Sequence, residues 1–529
     1  MRRVKFLSMV AALSLTVSMF AACSQETPPA NNSASPSSSA SPTATEQPRT
    51  TLRVEVFDRA NENGTDPTNN YWTDWIKEQV LKEFNMEVTF ESVPRSEEVA
   101  RLNVIMAGGT PPDVVFTYDG AVAYNYYKQG GLADLTDAIS KYGSTLTGYL
   151  GDEILEYGKY EGKQYLIPAK RISLAYFNTF IRKDWLEALG LPMPQNMDEY
   201  YNTLVAFKEK NPGKTERVIP FGWYTQQNIV DSFTEYSNMT EEEQFVYGFG
   251  SNIMYKGYKE GIRFLNKMYN AGLMDTDFPL YTGSENDDLV MRGLVGSWGS
   301  NYDSPIRTSP GVYNQLKGNV SGAEIAVLDC FVNTADGTHM RQKYQPYGVY
   351  NFVPESSKNV EGAVKYLDWL CRDDVRIYIA SGEEGVNHNK DADGIPVMIN
   401  LQNDNRMMNS YTNLDYALVV NGIDLGIQEK NLLALSKSYE EQYTDWFMDA
   451  YNTAMHDAIV FIPYAVPPIN AEAQYITTLN EKKDEIVIAA VTASEKDFDS
   501  VWEAGIAEWL SIGGQACIDE RQAYWDSAH

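Results

Sequence analysis

The 529-residue sequence contains few cysteines, and none of them form a Cys-x-x-Cys pair. This spacing excludes the common structural zinc sites and thioredoxin-like redox chemistry. Apart from Cys23, the cysteines are Cys330, Cys371 and Cys517, and each stands beside apolar residues. An odd set of three permits at most one disulfide, and we predict buried free thiols.

Histidine is equally scarce. There are four histidines, one of them the terminal His529, and the chain has no His-Glu-x-x-His motif and no Gly-x-Ser-x-Gly motif. The sequence therefore predicts no catalytic residues, no metal ion and no cofactor. A glycosidase needs only two carboxylates at a suitable separation. The 72 acidic residues therefore leave an extracellular carbohydrate-active enzyme, a glycosidase or lyase, as an alternative.

Acidic residues outnumber basic residues in this sequence. The chain has 43 Lys and Arg residues against 72 Asp and Glu residues, which gives a formal net charge of −29. This balance disfavours binding to nucleic acid or another polyanion through bulk charge, and it disfavours electrostatic attachment to anionic lipid. We expect a solvated acidic surface.

Residues 1–22 have the pattern of a signal peptide. Basic residues at the start are followed by an apolar stretch from Phe6 to Ala22 and then by Cys23. The tetrad Phe20-Ala21-Ala22-Cys23 resembles the bacterial lipobox, which implies that Cys23 is lipidated and becomes the mature N-terminus. We expect an extracytoplasmic protein that is lipid-anchored to the outer face of the cell membrane.

Residues 23–50 are predicted to form the lipid anchor and a disordered linker. The segment after Cys23 has no aromatic residue and consists mostly of Ser, Thr, Pro and Ala. Such a composition buries too little apolar surface to offset the entropy of ordering the chain. We predict a flexible spacer between the membrane and the folded body.

The folded body begins with alternating strand and helix patterns, which predict an α/β fold. Apolar strand patterns at Leu52–Phe57, Glu87–Phe90 and Asp113–Thr117 alternate with helical patterns at Tyr71–Phe84 and Ser96–Met106. This order predicts a mainly parallel sheet with helices on its faces. Long helices are predicted in the C-terminal part of the chain, and shorter ones at Lys183–Leu189 and Met197–Lys210.

Several ordered segments resemble one family, the type 2 extracellular solute-binding proteins of ABC importers. The similar segments are Met106–Val115, Tyr176–Pro192, Met268–Phe278, Val353–Trp369 and Glu383–His388. The similarity is greatest to the large lipoprotein members of Gram-positive bacteria. It implies a two-lobed type 2 periplasmic-binding-protein fold with a ligand cleft between the lobes.

The resemblance also suggests how the chain is divided. We expect an N-terminal lobe of residues 51–170 plus 350–410 and a C-terminal lobe of residues 171–349 plus 411–529. The first crossing between lobes is placed near Arg171–Asn178 and a return near Tyr347–Asn351.

Candidate ligand-binding residues are those expected to follow strand ends and so to face the cleft. They are Asp58, Arg59, Tyr118, Asp119, Arg171, Trp223, Trp298, Tyr302, Glu384 and His388, and Asn61 and Tyr224 lie next to members of this set. Packing in the core is the alternative role for each aromatic side chain. Arg182, Asp184 and Trp185 form the sharpest motif, and we predict that they fix a helix start to the sheet. Where large relatives carry an EF-hand-like loop, residues 211–220 lack the Asp ligands, so no calcium site is predicted there.

The family resemblance implies a substrate-binding lipoprotein that captures a solute and delivers it to the transmembrane subunits of an ABC permease. Aromatic, carboxylate and amide side chains suit an oligosaccharide, since sugar C–H faces stack on rings while hydroxyls take polar partners. A peptide-binding or sensory solute receptor is a further alternative. No nucleic acid partner is expected.

Replacing the predicted lipidated residue tests the anchor. We expect Cys23→Ser to abolish membrane association, measured by cell fractionation, and to leave solute binding unchanged, because the anchor lies outside the folded body. A variant protein retained in the membrane fraction would contradict lipidation of Cys23.

Overall fold

The structure is a computed structural model that describes residues 49–59, 66–225, 227–281, 284–307, 311–399, 406, 415–439, 441–459 and 469–529. The predicted signal peptide, Cys23, nearly all of the predicted linker and Asn61 lie outside the described residues. Within these ranges, no helix combines the length and the apolar character that crossing a membrane requires.

The strands are numbered in chain order. They are β1 (Thr50–Asp58), β2 (Met86–Pro94), β3 (Val115–Thr117), β4 (Lys159–Tyr160), β5 (Lys163–Gln164), β6 (Leu166–Arg171), β7 (Phe177–Arg182), β8 (Ile219–Gly222), β9 (Val295–Asn301), β10 (Ile325–Leu328), β11 (Arg341–Gln342), β12 (Tyr347–Phe352), β13 (His388–Lys390), β14 (Pro396–Met398), β15 (Val420–Asn421) and β16 (Ala458–Ile459).

The α-helices follow the same order. They are α1 (Tyr71–Phe84), α2 (Glu98–Ala107), α3 (Gly120–Lys128), α4 (Thr136–Tyr142), α5 (Ser144–Glu156), α6 (Lys183–Leu189), α7 (Met197–Lys210), α8 (Gln227–Asp231), α9 (Glu241–Tyr247), α10 (Tyr258–Asn270), α11 (Glu285–Met291), α12 (Val312–Asn319), α13 (Val360–Leu370), α14 (Asp373–Ser381), α15 (Gln428–Lys437), α16 (Thr444–Met455), α17 (Asn470–Thr492), α18 (Phe498–Trp509) and α19 (Gln515–Ala528).

Helix boundaries follow local capping chemistry. The Asn70 side chain accepts hydrogen bonds from the backbone N–H groups of Trp72 and Thr73, which fixes the start of α1. The same helix ends at Asn85, whose backbone is left-handed with φ of 50°. Helix α6 ends at Gly190 with φ of 63°, a conformation that glycine adopts without steric cost.

The first sheet has the strand order β15-β6-β12-β3. β12 is antiparallel to both β6 and β3, whereas β15 is parallel to β6. The parallel pair β1–β2 joins this layer where the Glu55 N–H donates to the Val114 carbonyl at 2.9 Å. The predicted parallel arrangement is confirmed for the β1–β2 pair and for the Val54–Val114 bridge next to β3, and it is wrong for the pairs that β12 makes with β6 and β3. The path of the chain explains the antiparallel pairing. β6 runs toward the second sheet, whereas β12 follows the return of the chain from the second sheet, so the two neighbouring strands run in opposite directions.

The second sheet has the order β10-β7-β9-β8, with β7 antiparallel to β9 and β10. Consecutive β7 side chains point to opposite faces, so Phe180 packs in one hydrophobic cluster and Ile181 in another. Both faces of this sheet are consequently buried. The three thiols predicted to be free and buried, Cys330, Cys371 and Cys517, are confirmed as such.

The chain passes between the two sheets at three places. One is the link from β6 to β7, another is the segment between β10 and β12, and the third is the link from β15 to α15. Residues 416–420 pack in the core beneath the first sheet, which differs from the predicted assignment of 411–529 to the second lobe. The predicted lobe boundaries otherwise remain a prediction.

The motif predicted to fix a helix start does so. Arg182 is 1% exposed and donates to both carboxylate oxygens of Asp184 at 2.8 and 2.6 Å. Its guanidinium also lies over the Trp185 ring at 4.8 Å. The Asp184 carboxylate accepts the Glu324 N–H at 3.2 Å. The start of α6 is thereby tied to the edge strand β10.

Two arginine–aspartate pairs at equivalent helix positions provide a matched stability test. Because Asp184→Ala leaves the buried Arg182 charge without its partner, we expect the free energy of unfolding to fall by about 2–3 kcal/mol. In the control pair, Arg372 and Asp374 make the same two-point contact with side chains 38% and 68% exposed. Asp374→Ala should therefore cost about 0.5 kcal/mol or less. Equal losses in urea denaturation followed by circular dichroism would contradict this account.

Candidate ligand-binding cleft

A cavity lined by tyrosines lies between the first sheet and the C-terminal helices. Its volume is about 560 Å³. We call it the tyrosine cavity after the aromatic residues that line it, which are Tyr124, Tyr127, Tyr157, Tyr160, Tyr347 and Tyr350. The opposite wall is formed by Glu472, Ala473 and Arg521 on α17 and α19, helices whose apolar faces pack in a core of the second sheet.

Two local features bring these rings together. Tyr124 and Tyr127 are three residues apart on α3, so they share one side of that helix. Tyr347 and Tyr350 are also three residues apart, but they lie on a strand, where that spacing would place them on opposite faces. The β12–β6 register shifts between these two residues, and both rings line the tyrosine cavity with centroids 5.7 Å apart. Such an irregularity re-aims side chains.

The tyrosine rings contact one another in two groups, Tyr124 with Tyr127 and Tyr160, and Tyr157 with Tyr347 and Tyr350. Tyr127 stacks on Tyr160 with centroids 4.4 Å apart, and Tyr157 lies 4.1 Å from Tyr347. Burial raises the pKa of Tyr124 and that of Tyr347 to about 12. Their hydroxyls therefore stay protonated at neutral pH and can both donate and accept hydrogen bonds.

A second cavity lies within the elements around the second sheet. It also has a volume of about 560 Å³, and its lining includes Trp223, Tyr224, Tyr176, Asn301 and Lys483. We call it the tryptophan cavity. Trp223 is half-buried and packs on Phe278 with ring centroids 4.5 Å apart, which holds its indole at the cavity wall.

Arg171 stands between the two cavities, at the end of β6 where the chain first leaves the sheet. Its guanidinium lies over the Tyr344 ring at 4.1 Å, and its Nε donates to the Tyr347 carbonyl at 3.4 Å. Tyr344 reaches the tryptophan cavity by donating its hydroxyl to Asn301 at 3.0 Å. Tyr347 lines the tyrosine cavity. The Arg171–Tyr344 pair thus lies between residues that line the two cavities, and we call the two cavities together with this pair the cleft.

Other predicted site residues at the first sheet lie close to Arg171. The Arg59 guanidinium pairs with both carboxylate oxygens of Asp415 at 2.6 and 2.8 Å and donates to the Tyr118 hydroxyl at 3.3 Å. Burial and the Asp415 charge raise the pKa of Tyr118, while the nearby cations, Arg171 among them, act in the opposite direction. The structure therefore brings Arg59, Tyr118 and Arg171 together.

The remaining predicted residues of the first sheet have different positions. Asp119 caps α3 by accepting the Ala121 and Val122 N–H groups at 2.9 and 3.1 Å. Asp58 lies exposed at the end of β1. Neither residue lines the tyrosine cavity or the tryptophan cavity among the described residues.

The prediction was wrong for Trp298 and Tyr302, which are 1% and 4% exposed. Trp298 lies on β9, whose sheet is covered on both faces, so its ring packs 5.6 Å from Phe180 in the core. Tyr302 packs beside Phe447, and its hydroxyl lies 2.8 Å from the Ser173 hydroxyl. That bond holds the first crossing segment against the second sheet.

The prediction was also wrong for Glu384 and His388. His388 is 3% exposed, and its Nδ1 lies 2.9 Å from the Ser381 carbonyl. Glu384 forms an exposed ion pair with Lys390 at 2.8 Å. These residues belong to the turn after α14, and neither lines one of the two cavities.

The structure reveals a cluster of potential metal ligands that the sequence did not indicate. Asp329, Cys330, His339, His456 and Asp457 bring their ligand atoms close together. His456 Nδ1 lies 2.7 Å from Asp329 Oδ2, and His339 Nδ1 lies 3.2 Å from Asp457 Oδ2. These histidine–carboxylate contacts account for the cluster without an ion. Sequence spacing could not reveal it, because 118 positions separate His339 from Asp457.

Comparison with solved structures places this fold in a known class. The fold is similar to that of the alginate-binding protein AlgQ2, with a TM-score of 0.63 at 19% identity over 90% of this chain and 98% of that one. It is likewise similar to the Streptococcus pneumoniae ABC-transporter substrate-binding protein FusA in complex with kestose. The TM-score is 0.63 at 16% identity over 90% of this chain and 99% of FusA. The predicted two-lobed type 2 periplasmic-binding-protein fold is confirmed.

Sequence comparison then identifies the family. The model of the bacterial extracellular solute-binding protein family matches residues 69–376, which is more than half of the chain. The polygalacturonan/rhamnogalacturonan-binding protein YtcQ of Bacillus subtilis (strain 168) is 24% identical over 479 residues, or 85% of this chain and 89% of YtcQ. This chain belongs to the bacterial extracellular solute-binding protein family.

Proposed function

We propose that this protein is the substrate-binding lipoprotein of an ABC importer and that it captures an oligosaccharide in the tyrosine-lined cleft. The observation that carries the proposal is the set of tyrosines around the tyrosine cavity. Pyranose rings present apolar C–H faces that stack on aromatic rings, and their hydroxyls pair with polar groups at the ring edges. Protonated tyrosines offer both features on one rigid side chain.

The cavities have the size that an oligosaccharide requires. Each volume of about 560 Å³ lies within the range of about 300–1,000 Å³ typical of small-molecule sites. Arg171 and Tyr344 contact residues that line both cavities, and we expect a chain of several sugar units to extend from one cavity to the other. A monosaccharide would leave most of this aromatic surface without a partner.

The names of similar proteins support a carbohydrate ligand. YtcQ is named for polygalacturonan and rhamnogalacturonan, AlgQ2 for alginate, and the FusA structure contains kestose. All of these are saccharides, some of them acidic and some neutral. The names support the class of ligand and leave the particular sugar open.

The predicted lipid anchor, the linker and the two lobes would each have a role in transport. The lipid on Cys23 and the linker of residues 23–50 would hold the receptor near a membrane permease while letting it move. Two lobes joined by crossing segments can close around a solute, and the closed form would then dock on the transmembrane subunits. Ligand binding would favour closure because both walls of the tyrosine cavity contact the solute only when they approach each other.

An enzyme is the competing function. Of the carboxylates lining the tyrosine cavity, Glu472 pairs with Arg521 at 2.7 Å and Glu156 with Lys159 at 2.8 Å. A glycosidase requires one carboxyl group that can give up a proton and another that stays charged. Each of these two carboxylates is already engaged by a cation, which favours binding without turnover.

Binding measurements test the function directly. We expect oligosaccharides to raise the thermal unfolding midpoint of the mature protein, because ligand binding stabilises the folded state. Tyr157→Ala and Tyr160→Ala should each raise the dissociation constant about tenfold. This change corresponds to a loss of about 1.4 kcal/mol of binding free energy from stacking. Isothermal titration calorimetry provides the measurement.

Tyr142→Ala is the matched control, because Tyr142 is a half-buried tyrosine of the first sheet's helices that lines neither cavity. It should leave the dissociation constant unchanged. A screen in which peptides stabilise the protein and glycans do not would refute the carbohydrate assignment. Recovery of a shortened glycan after incubation would instead establish an enzyme.

A further inference from the structure

Arg171 differs from the other arginines in how its charge is balanced. Every other buried or half-buried arginine among the described residues has a carboxylate oxygen within 4.0 Å. The examples include Arg59 with Asp415, Arg182 with Asp184, Arg341 with Asp329, Arg376 with Asp373 and Arg521 with Glu472. No described carboxylate lies within that distance of the half-buried Arg171.

Aromatic and carbonyl groups surround Arg171 instead of acids. The Tyr344 ring at 4.1 Å and the Tyr347 carbonyl at 3.4 Å are its described partners. Burial lowers the pKa of Arg171, and the ionisable side chains nearest in effect are tyrosines, which are neutral when protonated. A cation–π contact offsets only part of the cost of taking a guanidinium out of water. The positive charge of Arg171 is therefore not neutralised by a described acidic side chain.

The backbone makes room for this arrangement. A Cβ atom on Gly348 would lie 2.7 Å from Nη2 of Arg171, closer than side chains tolerate, and the φ of Gly348 is not left-handed. A side chain at this position would therefore displace the Arg171 guanidinium. Gly348 lies in the irregular stretch of β12 between Tyr347 and Tyr350.

The charged residues that line the two cavities sum to zero, whereas Arg171 has no described carboxylate partner. The tyrosine and tryptophan cavities are lined by four basic residues, Lys128, Lys159, Lys483 and Arg521, and by four acidic residues, Glu156, Glu161, Glu472 and Asp484. Arg59 and Asp415 also balance each other. Although the whole chain carries −29, the charged residues that line the two cavities balance, and Arg171 lies beside residues of both cavities without a described carboxylate partner.

We infer that Arg171 is the anion-recognition point of the cleft and that the bound oligosaccharide carries a carboxylate, as a hexuronic acid does. This inference rests on the proposed function and specifies its ligand class. The planar guanidinium offers two parallel N–H donors that match the two oxygens of a carboxylate. The adjoining tyrosines of the cavity would stack on the sugar ring that bears it.

Paired ligands test this inference with the mature full-length chain. The probes are trisaccharides of galacturonate, mannuronate and glucuronate, each compared with its methyl ester, which keeps the sugar skeleton and removes the charge. We expect at least one free acid to bind at least tenfold more tightly than its ester in isothermal titration calorimetry. Added sodium chloride should reduce that difference, since it screens the ion pair.

Variants of Arg171 test whether this residue causes the preference for the free acid over its ester. Arg171→Gln should abolish the preference for the acid while changing the affinity for the ester less than threefold, and Arg171→Lys should keep part of the preference. Gly348→Ala retains the charge but displaces it, so it should also reduce the preference. Arg263→Gln, which removes an exposed cation elsewhere, should change neither affinity. Thermal unfolding without ligand shows whether each variant is folded.

The outcomes separate the ligand class from the function itself. Equal binding of acids and esters by the wild type, or binding of neutral oligosaccharides alone, would overturn the role of Arg171 and leave an oligosaccharide receptor. An acid preference that persists in folded Arg171→Gln would also overturn it. If no glycan of either charge binds while peptides do, the proposed function fails as well.

Discussion

The antiparallel pairing of β6 with β12 determines where the chain connects its two sheets. β6 ends at Arg171 and leads into β7 of the second sheet, whereas β12 begins at Tyr347 after the chain has returned. Because the two strands are hydrogen-bonded neighbours, the outgoing and returning segments are held side by side. The third connection follows β15, which pairs with β6 at Lys170 and Arg171. Everything that lines the cleft is positioned relative to this junction.

The same junction explains why tyrosines from distant parts of the sequence face one space. The irregular register of β12 turns both Tyr347 and Tyr350 into the tyrosine cavity, and α3 contributes Tyr124 and Tyr127 from across the first sheet. Each ring has two side-chain torsions and neighbouring rings to restrict them, so little conformational entropy remains to be lost when a ligand stacks on it. The Tyr302–Ser173 bond fixes the other side of the junction. The ring contacts and this hydrogen bond therefore restrict the side chains beside the cavities.

Sequence patterns predicted the fold better than they predicted the cleft. The helices Tyr71–Phe84, Lys183–Leu189 and Met197–Lys210 were predicted to the residue, since their caps and apolar periodicity are local signals. Arg171 was placed at the first crossing from the family resemblance. Trp298 could not be distinguished from a ligand-facing aromatic, because only the sheet pairing shows that helices cover both sides of β9. The tyrosines of α3 and β12 were missed because no local pattern indicates that Tyr124 faces Tyr160, or that an irregular register turns Tyr347 inward.

Net charge illustrates the limit of whole-chain composition. A charge of −29 disfavours polyanions at the protein surface, and that expectation concerns fields averaged over the molecule. At physiological ionic strength the Debye length is about 8 Å, so a ligand inside the cleft responds mainly to the charges that line it. There the acidic and basic lining residues balance, and the Arg171 guanidinium lies beside them without a described carboxylate partner. An acidic surface is therefore compatible with an anion-binding cleft, because salt screens the field of the distant surface charges.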